Sequence, residues 1–125
     1  MMIVEIHKSP SGEILSLMAA DHAGFADEGE DIICAVASTL VYTAIASLEK
    51  LCGLEDFYRI TEDHDGDTVP FTEIILPDKN LTEEQHSTSQ IIMKTVETGF
   101  IQLQESTDED YDQSFIQIRE IIDDK

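Results

Sequence analysis

One histidine and one cysteine are placed where a thiol could be activated. His22 lies in a segment that also contains Gly24 and Gly29, and Cys34 follows it twelve residues later, at the start of a long apolar run. If that run is a helix, its first-turn amides and positive dipole end favour thiolate over thiol. A thiolate can attack a peptide carbonyl, and a histidine within reach can transfer the protons. The pair predicts nucleophilic chemistry, with Cys34 as nucleophile and His22 as base.

Two more polar residues share the predicted helix face of the cysteine. Asp31, Cys34 and Ser38 differ by three and four residues, which places them on one stripe. Asp31 could orient His22 or could only cap the helix. Ser38 could donate a hydrogen bond near the thiol or bond back to the carbonyl of the preceding turn. A cysteine among small residues is also a common packing residue, so the spacing alone leaves both interpretations open.

Seven segments predict the order ββαββαβ. Short runs rich in β-branched residues indicate strands, and longer runs with apolar residues at helical spacing indicate helices. We therefore expect an α+β domain over residues 1–125, in which a sheet packs against two helices. The predicted strands cover residues 3–7, 14–20, 57–63, 69–76 and 114–122, and the predicted helices cover residues 31–52 and 82–104.

Local signals mark the ends of these elements. Gly53 can end the first helix in a left-handed conformation, and Thr82 with Gln85 forms a capping box for the second. Pro70 inside the fourth strand predicts an edge strand or a bulge, because proline cannot donate to a ladder. The polar, acidic segment 106–113 predicts a loop after the second helix.

The first helix has no charged residue between Ile32 and Leu48. A helix that is apolar nearly all round is buried on more than one side, so we expect it between the sheet and either the second helix or a second subunit. Its two cysteines, Cys34 and Cys52, would lie roughly 27 Å apart, too far for a disulfide. Two thiols are typical of a reducing cytosol. Cys52 lies near the helix C-terminus, where the dipole disfavours thiolate, and is interpreted as structural.

The charge balance limits the classes of partner. Seven basic and 27 acidic residues among 125 give a net charge of −20. Nucleic acid and anionic membranes would be repelled, whereas a basic protein partner is allowed. No run of about 18 apolar residues predicts a membrane span, and the start of the chain does not look like a secretory signal.

The sequence predicts no metal or cofactor. The run from Asp63 to Asp67 suggests a calcium loop, but the positions that would need glycine and glutamate hold Thr68 and Ile74, so a hairpin turn is the better interpretation. The histidines and cysteines have no zinc-type spacing, and no phosphate-binding glycine motif is present.

The segment around the two reactive residues resembles the ribosomal-processing cysteine protease family, called Prp. That family carries Gly-His-Ala near its start, then Gly-x-Asp-Ile-Val-Cys-Ala, then a serine four residues after the cysteine. Here the matching residues are His22-Ala23-Gly24-Phe25, Gly29, Asp31-Ile32-Ile33-Cys34-Ala35 and Ser38. The spacing of twelve and the ββαββαβ order also match.

The resemblance implies a cytoplasmic endopeptidase that removes a short N-terminal extension from a large-subunit ribosomal protein, cutting after a hydrophobic, aromatic-ending motif. Cys34 would be the nucleophile and His22 the base, and Asp31 and Ser38 would correspond to the conserved acid and serine. It also implies a homodimer, and a loop between His22 and Cys34 that moves as substrate enters.

One position departs from the family pattern, because the glycine before the histidine is Asp21 here. Aspartate restricts the backbone and puts a negative charge beside His22, which favours imidazolium. We therefore also consider a weakly active or inactive relative that binds a basic ribosomal protein as an assembly factor. A redox-sensing Cys34 is a third possibility, with no second cysteine within reach on the same helix.

Overall fold

The computed structural model describes residues 2–21, 30–61, 71–111 and 115–123. These residues form five strands and two helices in the predicted ββαββαβ order, which confirms the α+β class. The elements are β1 (Met2–Lys8), β2 (Ile14–Asp21), α1 (Glu30–Cys52), β3 (Tyr58–Thr61), β4 (Phe71–Ile75), α2 (Glu83–Tyr111) and β5 (Ile116–Ile122).

The strands form one sheet in the order β3-β4-β2-β1-β5. The predicted first hairpin is confirmed, since β1 and β2 pair antiparallel from Met2 opposite Asp21. Gly12 closes its turn at a φ of 92°, a conformation that costs glycine little. Strand β5 returns parallel to β1 at one edge, and β3 forms the other edge beside β4.

Both helices pack on one face of the sheet. Alternate side chains of β1 are buried, as expected for a strand with one covered face. The core between the sheet and the helices is aliphatic, with Phe100 as its largest fully buried side chain. Its fully enclosed members include Val4, Ile6, Leu17, Ala44, Leu48, Ile74, Met93 and Ile116.

The predicted end signals of the helices are present. Thr82 Oγ1 accepts a hydrogen bond from the Gln85 amide, and Gln85 Oε1 accepts one from the Thr82 amide, both at 3.0 Å. The Gln85 side chain also donates to the Cys52 carbonyl at 2.9 Å, which joins the start of α2 to the end of α1. Gly53 follows α1 at a φ of 68°, so the left-handed helix end is confirmed.

Two boundary predictions are wrong, and so is one of the two interpretations of Pro70. α1 begins at Glu30, so Asp31 lies inside the first turn instead of at the cap. α2 continues to Tyr111 through the acidic segment predicted as loop, because Thr107 is buried there and its hydroxyl donates to the Gln104 carbonyl at 3.1 Å. β4 lies inside the sheet, so the edge alternative is wrong. The bulge alternative stays a prediction, because β4 begins at Phe71 and Pro70 lies outside the described residues.

α1 is apolar on its outward face as well as on the face toward the sheet. Its inner side chains lie in the core, whereas Val36, Tyr42 and Leu51 are exposed. By length and composition the segment Ile33–Cys52 would suffice to cross a membrane, contrary to the sequence prediction, but core helices pass the same test. α2 covers one flank, which confirms packing against the second helix, and the outward face has no cover among the described residues.

Lys8 joins three elements at the end of β1. Its ammonium lies 2.8 Å from Glu97 on α2 and 2.7 Å from Glu120 on β5, and the Lys8 and Glu97 side chains are each 16% exposed. Hydrogen bonds to Glu120 and then to Glu97 raise the pKa of Lys8 above its ordinary value. This stabilisation is fully present below the pKa of an unfolded lysine and is lost only as the pH rises through the higher folded pKa.

We expect Lys8→Met to lower the free energy of unfolding by about 1–2 kcal/mol, because the half-buried Glu97 would lose its cation. Urea unfolding at pH 6 and pH 8 should give the same loss, since lysine is charged at both. Lys94→Met, which removes an exposed lysine of α2, is the control. A loss that differs between the two pH values, or that equals the control, would contradict this role.

Candidate active site

Cys34 lies on the side of α1 that meets the core, and it is half-buried. Because the helix begins at Glu30, Cys34 is its fifth residue and opens the second turn, not the first as predicted. Helical side chains lean toward the N-terminus, so a side chain at this position lies over the first turn. The unpaired amides and the positive dipole end of α1 are located there. The start of α1 therefore still favours the thiolate of Cys34, although the helix begins one residue earlier than predicted.

The thiol faces a cavity of about 210 Å³ at one end of the sheet. At this end β1 and β4 begin and β2 and β3 finish, and α1 crosses above them. The walls are mostly apolar, with hydroxyl groups at the rim. They are formed by Met2, Ala19, Cys34, Ala37, Ser38, Val41, Tyr42, Ile60, Thr61, Phe71 and Thr72.

Ser38 lines this cavity one helical turn beyond Cys34, as its spacing predicts. Tyr42 continues the same stripe another turn along, and a search at i+8 from the cysteine would have found it. The hydroxyl-bearing Thr61 and Thr72 come from β3 and β4. No sequence signal near the cysteine points to them, because only the sheet topology brings those strands beneath α1.

Most of the other predicted site residues lie outside the described part of the chain. His22, Gly24 and Gly29 belong to the segment between β2 and α1, and the side chain of Asp31 also lies outside the described residues. Asp21 is the last residue of β2, where its backbone pairs with Met2. Since Met2 also lines the cavity at Cys34, the chain leaves the sheet for His22 beside this cavity. The run Asp63–Asp67, interpreted as a turn, lies outside the described residues as well.

A larger concavity, of about 1310 Å³, lies at the opposite end of the sheet and contains no cysteine. Both of its histidines are paired with carboxylates: His86 Nε2 lies 3.2 Å from Glu13 and His7 Nδ1 lies 3.3 Å from Asp123. These pairs join neighbouring elements. The two histidines therefore have a structural explanation, and the cavity at Cys34, which contains the candidate nucleophile, is the better candidate for chemistry.

Cys52 offers a contrast within the same helix. It is 6% exposed, its thiol lies 3.9 Å from the Gln85 carbonyl, and burial raises the pKa of the Cys52 thiol. A raised pKa lowers the thiolate fraction at every pH. Cys52 is thus a packing residue, as the sequence predicts.

We expect iodoacetamide to alkylate Cys34 at least about tenfold faster than Cys52 at pH 7, because the reactive thiolate is favoured at the start of α1 and disfavoured at its end. Peptide mass spectrometry over time would measure both rates in one sample. The Cys52 rate should rise steeply only as the pH exceeds its ordinary value of 9.0. Equal rates in the folded protein would remove the electrostatic distinction between the two thiols.

Comparison with known proteins gives matches of one kind. The family model described as cysteine protease Prp matches residues 1–112 of this chain. The ribosomal processing cysteine protease Prp of Bacillus subtilis (strain 168) is 35% identical over 63 residues. That stretch covers 50% of this chain and 56% of the relative, so the match spans little more than half the length of the curated protein.

Solved structures share the fold over almost the entire chain. The crystal structure of SMU.848 from Streptococcus mutans is similar with a TM-score of 0.76 and 24% identity, covering 98% of this chain and 96% of that one. The ribosomal processing protease Prp of Staphylococcus aureus, solved with a substrate peptide, has a TM-score of 0.65 and 20% identity, covering 96% and 99%. At these identities the likeness establishes the fold.

Proposed function

We propose that this chain, which belongs to the Prp cysteine protease family, is a cysteine endopeptidase that removes the N-terminal extension of a large-subunit ribosomal protein during ribosome maturation. Residues 1–125 would act as one protease domain in the cytoplasm. The observation that carries the proposal is a half-buried cysteine near the start of a helix, facing a cavity beside the point where the chain leaves β2 for His22. A Prp relative crystallised with a substrate peptide agrees with a polypeptide substrate.

The mechanism uses groups of this chain only. His22 takes the proton of the Cys34 thiol, and the thiolate sulfur bonds to the carbonyl carbon of the scissile peptide. First-turn amides of α1 stabilise the oxyanion that forms. The oxyanion collapses to a thioester as the amine leaves with the proton from His22, and water, deprotonated by His22, then hydrolyses the thioester. Asp31 would orient the imidazole, and Ser38 would donate a hydrogen bond at the cavity rim.

The cavity would receive one apolar side chain of the substrate. Its lining is mostly aliphatic or aromatic, with hydroxyl groups from Ser38, Thr61 and Thr72, and its 210 Å³ suit a single large side chain better than a bulky folded surface. Phe71 forms one wall, with the Arg59 guanidinium carbon 5.8 Å from the Phe71 ring centroid. Cleavage next to a hydrophobic or aromatic residue is the specificity such a site supports.

The net charge of −20 suits a basic substrate such as a ribosomal protein. Opposite charge speeds encounter and makes binding sensitive to salt. The glycines at 24 and 29 would let the segment between β2 and α1 move as the peptide enters. No metal or cofactor is required, because the thiol, imidazole and amides supply every step.

The chain would act as a homodimer through the outward face of α1. Around a shallow depression this face presents small, apolar or neutral polar side chains, and its charge comes only from Lys50: Thr39, Tyr42, Thr43, Ala46, Ser47, Lys50 and Leu51. Two copies of a strongly acidic chain repel at most surfaces, so a depression lined by no carboxylate is where they can approach. Small residues also allow close contact between two helices.

The direct test is to mix the protein with the host's ribosomal protein carrying its N-terminal extension and to identify products by mass spectrometry. The proposal expects a single cut after a hydrophobic residue near the N-terminus. A tight, salt-sensitive complex without any product would instead support the assembly factor.

A substitution of Asp21 tests most directly whether the chain cleaves its substrate or only binds it. We expect Asp21→Gly to raise the cleavage rate, by roughly threefold to tenfold, because it removes a negative charge next to His22 in the sequence and a restricted backbone before the glycine-containing segment. The measurement is kcat against pH, where the wild-type rate should rise at higher pH than that of the variant. Asp21→Asn is the control, since it removes the charge but keeps the restricted backbone. An unchanged rate and pH profile in both variants would mean that Asp21 does not limit catalysis.

A further inference from the structure

β3 borders the candidate active site and has one side unpaired within the described sheet. It pairs with β4 alone, and the carbonyl of Phe57 accepts a hydrogen bond from the Ile75 amide at 2.7 Å. In an antiparallel pair, alternate residues turn their backbone groups toward the partner. Because Phe57 bonds to β4, the alternate residues Arg59 and Thr61 face β4 as well. Tyr58 and Ile60 lie between them and turn their N–H and C=O groups away from β4.

These two residues also line two separate depressions beside β3, each of which includes a residue of α1. Ile60, 44% exposed, lines the cavity that Cys34 lines from the helix side. Tyr58, 40% exposed, lines the next depression, which Glu49 borders from α1. The outward-facing backbone groups of β3 thus extend from Ile60, beside the cavity of Cys34, to Tyr58, beside Glu49.

We infer that the substrate polypeptide binds as an extended sixth strand along this edge, with its main chain bonded to Tyr58 and Ile60; the inference rests on the proposed protease function. Strand addition supplies main-chain hydrogen bonds that do not depend on sequence, and alternate side chains then enter pockets. A peptide residue level with Ile60 directs one side chain into the cavity and presents its carbonyl near Cys34. The other sheet edge, β5, is separated from β3 by three strands and cannot serve this thiol.

The depression at Tyr58 also gives the bound strand a charge preference. Glu49, Glu55 and Asp56 line it. Strand residues lie about 3.4 Å apart, so a basic side chain two to four residues from the scissile bond would reach these carboxylates. The substrate class is therefore an unfolded, basic segment with one hydrophobic residue at the cut, which a folded domain could not supply.

Amide hydrogen exchange tests the inference on Cys34→Ala, which binds peptide without cutting it. NMR should show the amides of Tyr58 and Ile60 exchanging at least about tenfold more slowly with bound peptide. The amides of Arg59 and Thr61, already bonded to β4, should change little. Saturated peptide binding without new protection at Tyr58 and Ile60 would overturn the inference.

A substrate series separates this inference from the proposed function. N-methylation removes one donor at a time, so strand addition predicts that alternate positions near the cut lose at least about tenfold in kcat/KM while the intervening positions do not. Ile60→Pro removes an N–H that β4 does not use and should raise KM, whereas Ile60→Ala keeps that N–H. If the unmethylated peptide is not cut, the proposed function fails. If it is cut and the series shows no alternation, only the inference fails.

Discussion

Cys34→Ala is expected to lower the cleavage rate on the order of 10³-fold or more, because the sulfur that forms the covalent intermediate is removed and no other group can replace it. The fold should persist. Cys34 is only half-buried and lies at the rim of a cavity, so losing one sulfur atom should change the free energy of unfolding by less than about 1 kcal/mol.

Cys52→Ala is the matched control and should behave in the opposite way. Cys52 lies in the core under the end of α1, where truncation leaves a void and removes a weak thiol contact to the Gln85 carbonyl. We expect it to cost about 1–2 kcal/mol of stability and to leave the cleavage rate near that of wild type. One substitution therefore affects chemistry and the other affects stability, although both remove a thiol from the same helix.

The measurement combines single-turnover cleavage of an extension peptide with urea unfolding of all three proteins. Full activity in Cys34→Ala would end the nucleophile assignment. Loss of activity together with a large loss of stability would point to a packing role for Cys34 instead. Comparable loss of activity in Cys52→Ala would show that the contrast between the two sites is wrong.

The sequence predicted the architecture well because its signals were local and consistent. The β-branched runs, the Thr82–Gln85 capping box and Gly53 each act within a few residues, and each is present in the structure. The errors arose where tertiary contacts decide. The acidic end of α2 is helical because Thr107 is buried and because Gln104 donates to the Ile116 carbonyl at 3.3 Å, and composition alone cannot reveal either contact.

The candidate site was predictable on its helix and unpredictable on its sheet. Helical spacing relates Cys34 to Ser38 without knowledge of the fold. The opposite wall, from Ile60 to Thr72, depends on β4 pairing with β2 and placing β3 at the edge. Of the two interpretations of Pro70, an edge strand or a bulge, the first placed β4 at the edge instead. Strand order is set by non-local pairing, so the edge beside the thiol became visible only in the structure.

The second large effect concerns the outward face of α1. We expect the wild-type protein to have the solution mass of two 14.0 kDa chains and Thr43→Glu to have the mass of one. Thr43 is exposed on this face, and a glutamate there would oppose its own copy across a two-fold interface. Burying two unpaired carboxylates costs several kcal/mol, which corresponds to a weakening of the dimer by at least about 10²-fold.

Thr98→Glu provides the control for this experiment. Thr98, like Thr43, is an exposed helical threonine, but it lies on α2, which already carries acidic residues. It should leave the mass at two chains in analytical ultracentrifugation. Dissociation by both substitutions would indicate a general charge effect, and a wild-type monomer would remove the interface altogether.

Dissociation should also slow cleavage, since the two surfaces share a residue. Tyr42 lines both the depression on the outward face and the cavity at Cys34. A second copy packed on that face would hold the Tyr42 ring against the cavity and exclude water from one side of it. In the monomeric Thr43→Glu variant the ring loses that support, so we expect KM to rise several-fold while Cys34 alkylation stays at the wild-type rate. A KM unchanged on dissociation would mean that each copy builds its site alone, and that the neutral face of α1 serves assembly without serving catalysis.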